Sequence, residues 1–249
     1  MQSMKIKNCK NKEMREFINR LFDDAERDWN IIRDELLQEG YNECLLSSIT
    51  NINSNSLKVR SNHSIIPGFS VIEDGNIYVG DFIAFVVDIR ESTSLFKISY
   101  NDHHIENGLQ KVFYITSTLL QSIAYTVLEK EGRQAVKLLG DGILVLFKVD
   151  SKEISQEIIS VYKAAKTCIN ETMVIFNEVL GQRYGVAPLE IGIGISYGKS
   201  IVKVIDKFHT EVIGECVWEA SKLSKGRNLI KLSKNVENFL KNENVYLYE

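Results

Sequence analysis

Two kinds of segment alternate along the chain: stretches whose apolar residues recur at helical spacing, and short runs that are apolar at almost every position. Residues 11–38 are of the first kind, with Phe17, Leu21, Trp29, Ile32 and Leu36 on one helical stripe and Gly40 as a stop. Residues 48–64 are rich in Ser and Asn and predict a loop. Gly75 and Gly80 punctuate a hairpin-like stretch, and residues 81–89 (DFIAFVVDI) have the length and the Phe, Ile and Val content of a buried central strand. A long helical region follows over about 104–130 and ends at Glu131-Gly132. Residues 135–139 and 143–147 predict two strands joined through Gly140-Asp141-Gly142 as a tight hairpin. A helix is expected over 153–180, a second hairpin from 189–196 and 200–205 around Tyr197-Gly198, and another helix over 215–224. A strand at 228–232, a short helix and a strand at 245–248 complete the pattern.

This order predicts a ferredoxin-like α+β arrangement: one antiparallel-rich sheet with helices on one face. The 249 residues accommodate an N-terminal helical extension and loop over 1–67 and a main domain over 68–249. The uncharged run from 112 to 128 raises the question of a membrane span. It carries Thr116, Ser117, Thr118, Gln121, Ser122 and Thr126 and falls short of about 20 apolar residues, so a buried helix is expected instead. The polar start MQSMKIKNCK has no apolar signal core, which makes a reducing cytoplasm the expected location. A net charge of −3 lacks the basic excess of a nucleic-acid binder but allows a local basic pocket for a small anion. The four cysteines, Cys9, Cys44, Cys168 and Cys216, are far apart and form no CxxC or Cys/His cluster, so neither a zinc site nor a disulfide framework is expected.

The chemistry concentrates at two carboxylates. Asp88 ends a strand whose other members are apolar, where a charge is costly unless it faces a cation or lies at the strand exit. Asp141 sits at a hairpin tip, a place that a plain turn residue also suits. In a ferredoxin-like sheet that strand and that hairpin are neighbours, so the two carboxylates meet at one rim. A divalent cation relieves their repulsion, and Mg²⁺ takes one or two carboxylates plus phosphate oxygens. Ser92 or Thr93 can cap a following helix whose first N–H groups would face phosphate. His103-His104 has no third ligand in sequence and predicts a solvated helix start, while His63 falls in a polar loop. Gly192 and Gly194 predict close approach of a helix or backbone to a strand.

The segments FVVDIREST, KLLGDGILVLF, LEIGIGISYGKSI and EVIGECVWEASKL, in this order, resemble the class III nucleotidyl cyclases over about residues 81–232. The resemblance implies the cyclase catalytic fold and a homodimer with its sites at the subunit interface. It also implies two Mg²⁺ or Mn²⁺ ions per site, bound by Asp88 and Asp141 with help from the Ile89 carbonyl. Lys137 and Glu211 would read the base of a nucleoside triphosphate from the other subunit. Trp218 and Lys222 stand where the family has an Asn and an Arg. Lys222 keeps the charge without the bidentate fork, and Trp218 cannot make an Asn's hydrogen bonds. The family's late Lys-bearing hairpin is not found, so either Lys222, Lys225 or Arg227 handles the transition-state charge or activity is poor.

The short build and the altered last motif resemble the pyrimidine cyclases of the bacterial Pycsar anti-phage systems. That implies conversion of CTP, or UTP, to the 3′,5′-cyclic nucleotide and pyrophosphate, with the product read by a separate cyclic-nucleotide-binding effector. An adenylate cyclase making cyclic AMP and a non-catalytic nucleotide sensor are the alternatives. The sensor is favoured by Trp218 and Lys222 and opposed by the intact Asp88 and Asp141. The GG[DE]EF hairpin of diguanylate cyclases is absent; the sequence there is LLGDGIL.

Overall fold

The apolar run at 81–89 is the end of a longer strand. In the computed structural model, which describes residues 2–38, 77–128, 134–149, 153–206, 209–243 and 245, β1 spans Ile77–Ile89. It lies between β3 (Gly142–Lys148) and β4 (Ile191–Asp206), antiparallel to both. Outside them lie β2 (Gln134–Leu138) against β3 and β5 (His209–Gly214) against β4, giving the order β2-β3-β1-β4-β5. A short β6 (Leu229–Leu232) runs parallel to the first part of β4.

Because β1 is apolar in both parities, both faces of the sheet need cover. Ile83, Phe85, Val87 and Ile89 point into a large core built with α1 (Gln2–Gln38), α2 (Gly108–Leu128), α3 (Ile154–Thr167), α4 (Met173–Tyr184) and α6 (Lys234–Asn242). Phe82, Ala84 and Val86 form a second cluster with Leu144, Leu146 and Val202, closed by Cys216 and Ala220 of α5 (Glu215–Leu223). The α+β fold is as expected, but helices on one face only is not: α5 covers the other.

The expected hairpin around Tyr197-Gly198 is not formed. β4 continues through both residues, which pair with Ile83 and Phe82, and the chain reverses only after Asp206. Gly198 makes no turn, and a Cβ there would meet only the Cys216 Cβ at 3.6 Å, an ordinary contact. The helix expected from 104 starts at Gly108, where the backbone lies so close to Phe96 that a Cβ would come to 1.9 Å of its carbonyl oxygen. His103 and His104 precede it and are solvent-exposed, as expected. A buried ion pair, Lys111–Asp102 at 2.8 Å, ties the preceding loop to α2. Within α2, Ser122 and Thr126 donate to the carbonyls one turn back at 2.7 and 2.9 Å, which satisfies hydroxyls in the buried, uncharged stretch that follows Lys111. Among the described residues no helix is long and apolar enough to cross a membrane.

The expected stripe of α1 is largely buried, Leu21 and Trp29 in the core and Ile32 packed against it, and it is broadened by residues on one side. Ile18, Phe22, Ala25 and Trp29 are buried in the main core, while Phe17 stays half-buried against Tyr125. Arg183 pairs with Asp23 at 2.6 Å and Glu26 at 3.2 Å, and the Tyr184 hydroxyl donates to Glu26 at 2.5 Å. The expected helix over 153–180 is α3 and α4 joined through a π-turn, Cys168–Thr172. Gly40, the loop at 48–64, Gly75 and nearly all of the expected last strand lie outside the described residues.

Gly192 and Gly194 do what their pattern suggested. A Cβ on Gly194 would fall 1.9 Å from the Ala220 carbonyl oxygen, and one on Gly192 2.0 Å from that of Ser224. Gly194→Ala is therefore expected to push α5 off the sheet at a cost of about 1–3 kcal/mol. In a thermal melt that corresponds to a loss of about 2–4 °C per kcal/mol. Gly181→Ala, whose Cβ would meet nothing closer than the Val186 oxygen at 3.8 Å, is the control and should leave the melting temperature unchanged or slightly raised.

Candidate functional site

Strand alternation carries Asp88 after Phe82, Ala84 and Val86 onto the face covered by α5. In the sheet it stands between Gly142 on β3 and Gly192 on β4, so no neighbouring Cβ crowds its carboxylate. Asp141 immediately precedes Gly142. The turn that presents it is closed by the Leu139 N–H donating to the Gly142 carbonyl at 2.9 Å, with Gly140 at φ 77°. The Ile89 N–H donates to the Asp141 carbonyl at 3.4 Å. The two aspartates are thus neighbours at one rim, beside the Ile89 carbonyl.

Each carboxylate is held by a residue of the loop after β1. Arg90 forms an ion pair with Asp88, and the Ser92 hydroxyl donates to the Asp141 carboxylate. This corrects the expected role of Ser92 and Thr93. Residues Ser92–Phe96 form only a short 3₁₀ turn, preceded by Glu91 with no side-chain cap, so no helix start capped by Ser92 or Thr93 faces outward. Thr93 is exposed. Glu91 has φ 54°, a conformation uncommon for a side-chain-bearing residue. Its carboxylate pairs with Arg227, which also reaches Glu190 at 2.6 Å. The loop after α5 is thereby fastened beside Asp88, and Arg90 adds a hydrogen bond to the Lys225 carbonyl at 3.4 Å.

Arg90, Glu91, Glu190 and Arg227 were not legible as partners. Alternation does place Arg90 on the face of Asp88, two residues earlier. The Arg227 contacts join residues far apart in the chain and leave no trace in it.

Trp218 and Lys222 lie one turn apart on α5, opposite the buried Cys216 and Ala220. Lys222 is exposed, and Trp218 is 68% exposed. Lys137 is on β2, paired in register with Leu144, and Glu211 is on β5, paired with Lys203. These strands are the two ends of the β2-to-β5 path, so the sheet does not set the two positions side by side. Burial raises the Cys216 thiol on α5 and pushes that of Cys168, in the π-turn of the helical layer, up to about 12.

The donors at the rim are hard oxygens. Among the described residues no three or more His, Cys, Asp or Glu side chains gather to hold a metal. Two carboxylates and a carbonyl do not make an all-protein cage. They fit Mg²⁺ or Mn²⁺, whose remaining positions are taken by water and substrate phosphate.

The two glycines of the turn serve different purposes, and substitution should separate them. A Cβ on Gly142 would fall 2.6 Å from the Val87 carbonyl oxygen, so Gly142→Ala must part the hairpin from β1. It should destabilise the fold by about 1–3 kcal/mol. Gly140→Ala meets nothing within 4 Å and bears only the left-handed backbone penalty of about 1–2 kcal/mol. Amide exchange should therefore rise in the β1–β3 ladder for Gly142→Ala and stay local to the turn for Gly140→Ala.

No family profile and no curated protein matches the sequence. Solved structures do match the fold. The adenylyl cyclase CyaB from P. aeruginosa superposes with a TM-score of 0.55 at 20% identity, over 67% of this chain and 83% of that one. The guanylyl cyclase Cya2 gives 0.51 at 19% identity, over 67% and 80%. A class III adenylyl cyclase-like ATP-binding protein from Pseudomonas aeruginosa gives 0.53 at 13% identity, over 66% and 36%. The chain has the fold of the class III cyclase catalytic domain.

Proposed function

We propose that the protein is a nucleotidyl cyclase acting on a pyrimidine nucleoside triphosphate, CTP before UTP. One observation carries the cyclase reading: Asp88 and Asp141, from different elements, share one rim, each oriented by its own partner, on the fold of known cyclases. In the reaction the ribose 3′-oxygen bonds to the α-phosphorus, the bond from that phosphorus to the bridging oxygen breaks, and pyrophosphate leaves while the hydroxyl proton passes to solvent. Mg²⁺ or Mn²⁺ at Asp88, Asp141 and the Ile89 carbonyl would supply a lowered hydroxyl pKa and neutralise triphosphate charge. Ser92 and Arg90 fix the directions of the two carboxylates. Lys222 brings positive charge to the phosphates, with Lys225 and Arg227 in the loop beyond it.

The site is completed by a second copy of the chain. Lys222 and Trp218 sit on the outward face of α5, and no contact among the described residues joins either to Asp88 or Asp141. In a homodimer one subunit provides Asp88 and Asp141 and the other provides Lys137, Glu211, Trp218 and Lys222. Lys137 donates and Glu211 accepts hydrogen bonds, which suits an amino group beside an unprotonated ring nitrogen. Adenine and cytosine share that edge. The length of Glu211 and the bulk of Trp218 favour the smaller ring, and Glu pairs readily with the cytosine amine. By its resemblance to anti-phage cyclases, the product is a second messenger for a separate effector.

A nucleotide sensor without turnover is the second reading, favoured by Trp218 and Lys222 at positions where the family has Asn and Arg. Incubation with Mn²⁺ and equal CTP, UTP, ATP and GTP separates the readings. Cyclic CMP should dominate; cyclic AMP as the main product would overturn the pyrimidine assignment, and tight binding without any cyclic product would establish the sensor.

Asp88→Ala or Asp141→Ala should each lower turnover by at least about a thousandfold, some 4 kcal/mol of transition-state stabilisation, with the fold intact. Asp88→Ala mixed with Lys222→Ala should recover part of the activity through heterodimers, measured as cyclic nucleotide formed after subunit exchange. No recovery despite proven exchange would contradict the shared site.

A further inference from the structure

Asp88, one of the two carboxylates assigned to the metal, already faces a cation of the chain's own. The Arg90 guanidinium pairs with it through Nη2, and the two side chains are only 19% and 30% exposed. At that depth water screens the pair far less than it would on an open surface. A guanidinium and a divalent cation on one carboxylate repel each other, so Arg90 opposes metal entry at Asp88.

The rest of the guanidinium is poorly satisfied where it lies. Nη1 reaches the Lys225 carbonyl at a long 3.4 Å, and Nε is buried with no hydrogen-bond partner. A buried donor left unpaired is costly, and a different placement of the side chain would remove that cost. The backbone, by contrast, is fixed. The Arg90 N–H donates to the Glu190 carbonyl at 2.9 Å, Ile89 pairs with Ile191 in the sheet, and Glu91 is clamped by Arg227. A change of partner therefore falls to the Arg90 side chain alone, with the loop in place. Arg227 is not equivalent, since its ion pairs are with Glu91 and Glu190.

We propose that Arg90 is a resident counter-ion that gives up Asp88 when metal and nucleotide bind and takes triphosphate oxygens in its place. The proposal rests on the cyclase reading above and makes metal and nucleotide bind cooperatively. Arginine pairs with phosphate are commonly bidentate, which suits a guanidinium with donors left over. Metal alone has to displace Arg90 and leaves it without an anion. Nucleotide alone draws Arg90 away and leaves Asp88 unpaired beside Asp141. Each ligand removes the cost of the other, and by linkage the gain is the same in both directions.

The test is Mn²⁺ binding to the full chain, followed by electron paramagnetic resonance, with and without a non-reacting CTP analogue. Without the analogue, Arg90→Gln should bind Mn²⁺ about tenfold tighter than the unmodified chain, a gain that a merely loosened fold would not give. The strengthening brought by the analogue should shrink by a similar factor. In an Asp88→Asn background, Arg90→Gln should change the residual Mn²⁺ affinity by less than about twofold, because the carboxylate it competes for is gone. In the unmodified chain labelled with ¹⁵N, the Arg90 Nε–H signal should shift when Mg²⁺ and the analogue are added together.

Equal or weaker Mn²⁺ binding by folded Arg90→Gln overturns the proposal and leaves the cyclase reading standing. So does a gain that persists undiminished in the Asp88→Asn background. Absence of Mn²⁺ binding in every form, with the analogue present, overturns the cyclase reading and the proposal with it. If Arg90→Gln fails to fold, the ¹⁵N measurement decides: an Arg90 signal that stays in place at saturating Mg²⁺ and analogue rules the exchange out.

Discussion

Backbone hydrogen bonds hold β1 along both of its sides, and the register they impose is what brings the chemistry together. That register sets Asp88 opposite Gly142 and Gly192, so the strand's single acidic exit residue emerges between two positions without side chains. It also delivers the β2–β3 turn to the same rim, with Asp141 one residue from the pairing partner of Asp88. A slip of one residue would turn Asp88 into the helical core and Val87 to the α5 face. The apolar character of β1 in both parities guards against this only weakly. The close contacts of Gly142, Gly192 and Gly194, where no Cβ fits, lock the register instead.

Around that register the charges are arranged in pairs. Arg90 answers Asp88, Ser92 answers Asp141, and Arg227 binds both Glu91 and Glu190. These contacts tie three segments distant in sequence into one rim: the loop after β1, the start of β4 and the loop after α5. Two arginines, Arg90 and Arg227, are thereby gathered at the rim, each held by carboxylates. Trp218 and Lys222, by contrast, face outward from α5, which is why a second copy of the chain belongs to the account.

Local composition made much of this legible. The run DFIAFVVDI marked a central strand, LGDG marked the hairpin, and GIGI marked a close approach, because each depends on side-chain size and turn chemistry within a few residues. The failures have a common physical origin in long-range packing. Gly198 looked like a turn residue, and only its pairing with Phe82 of β1 shows that the strand runs on through it. The strand at 209–214 was missed, as its partner β4 decides its state. The run DFIAFVVDI already carried apolar residues of both parities, so cover on both faces could have been inferred from it. Ser92 looked like a helix cap, whereas the hydroxyl is spent on Asp141, a contact spanning 49 positions.

The central claim is that Asp88 and Asp141 form one divalent-cation site that is completed by a nucleoside triphosphate. Mn²⁺ binding followed by electron paramagnetic resonance, with and without a non-reacting CTP analogue, measures this without reference to turnover. The account predicts weak Mn²⁺ binding to the protein alone, strong binding once the analogue is added, and loss of that gain in both Asp88→Asn and Asp141→Asn. Undiminished Mn²⁺ binding in either folded variant would contradict it.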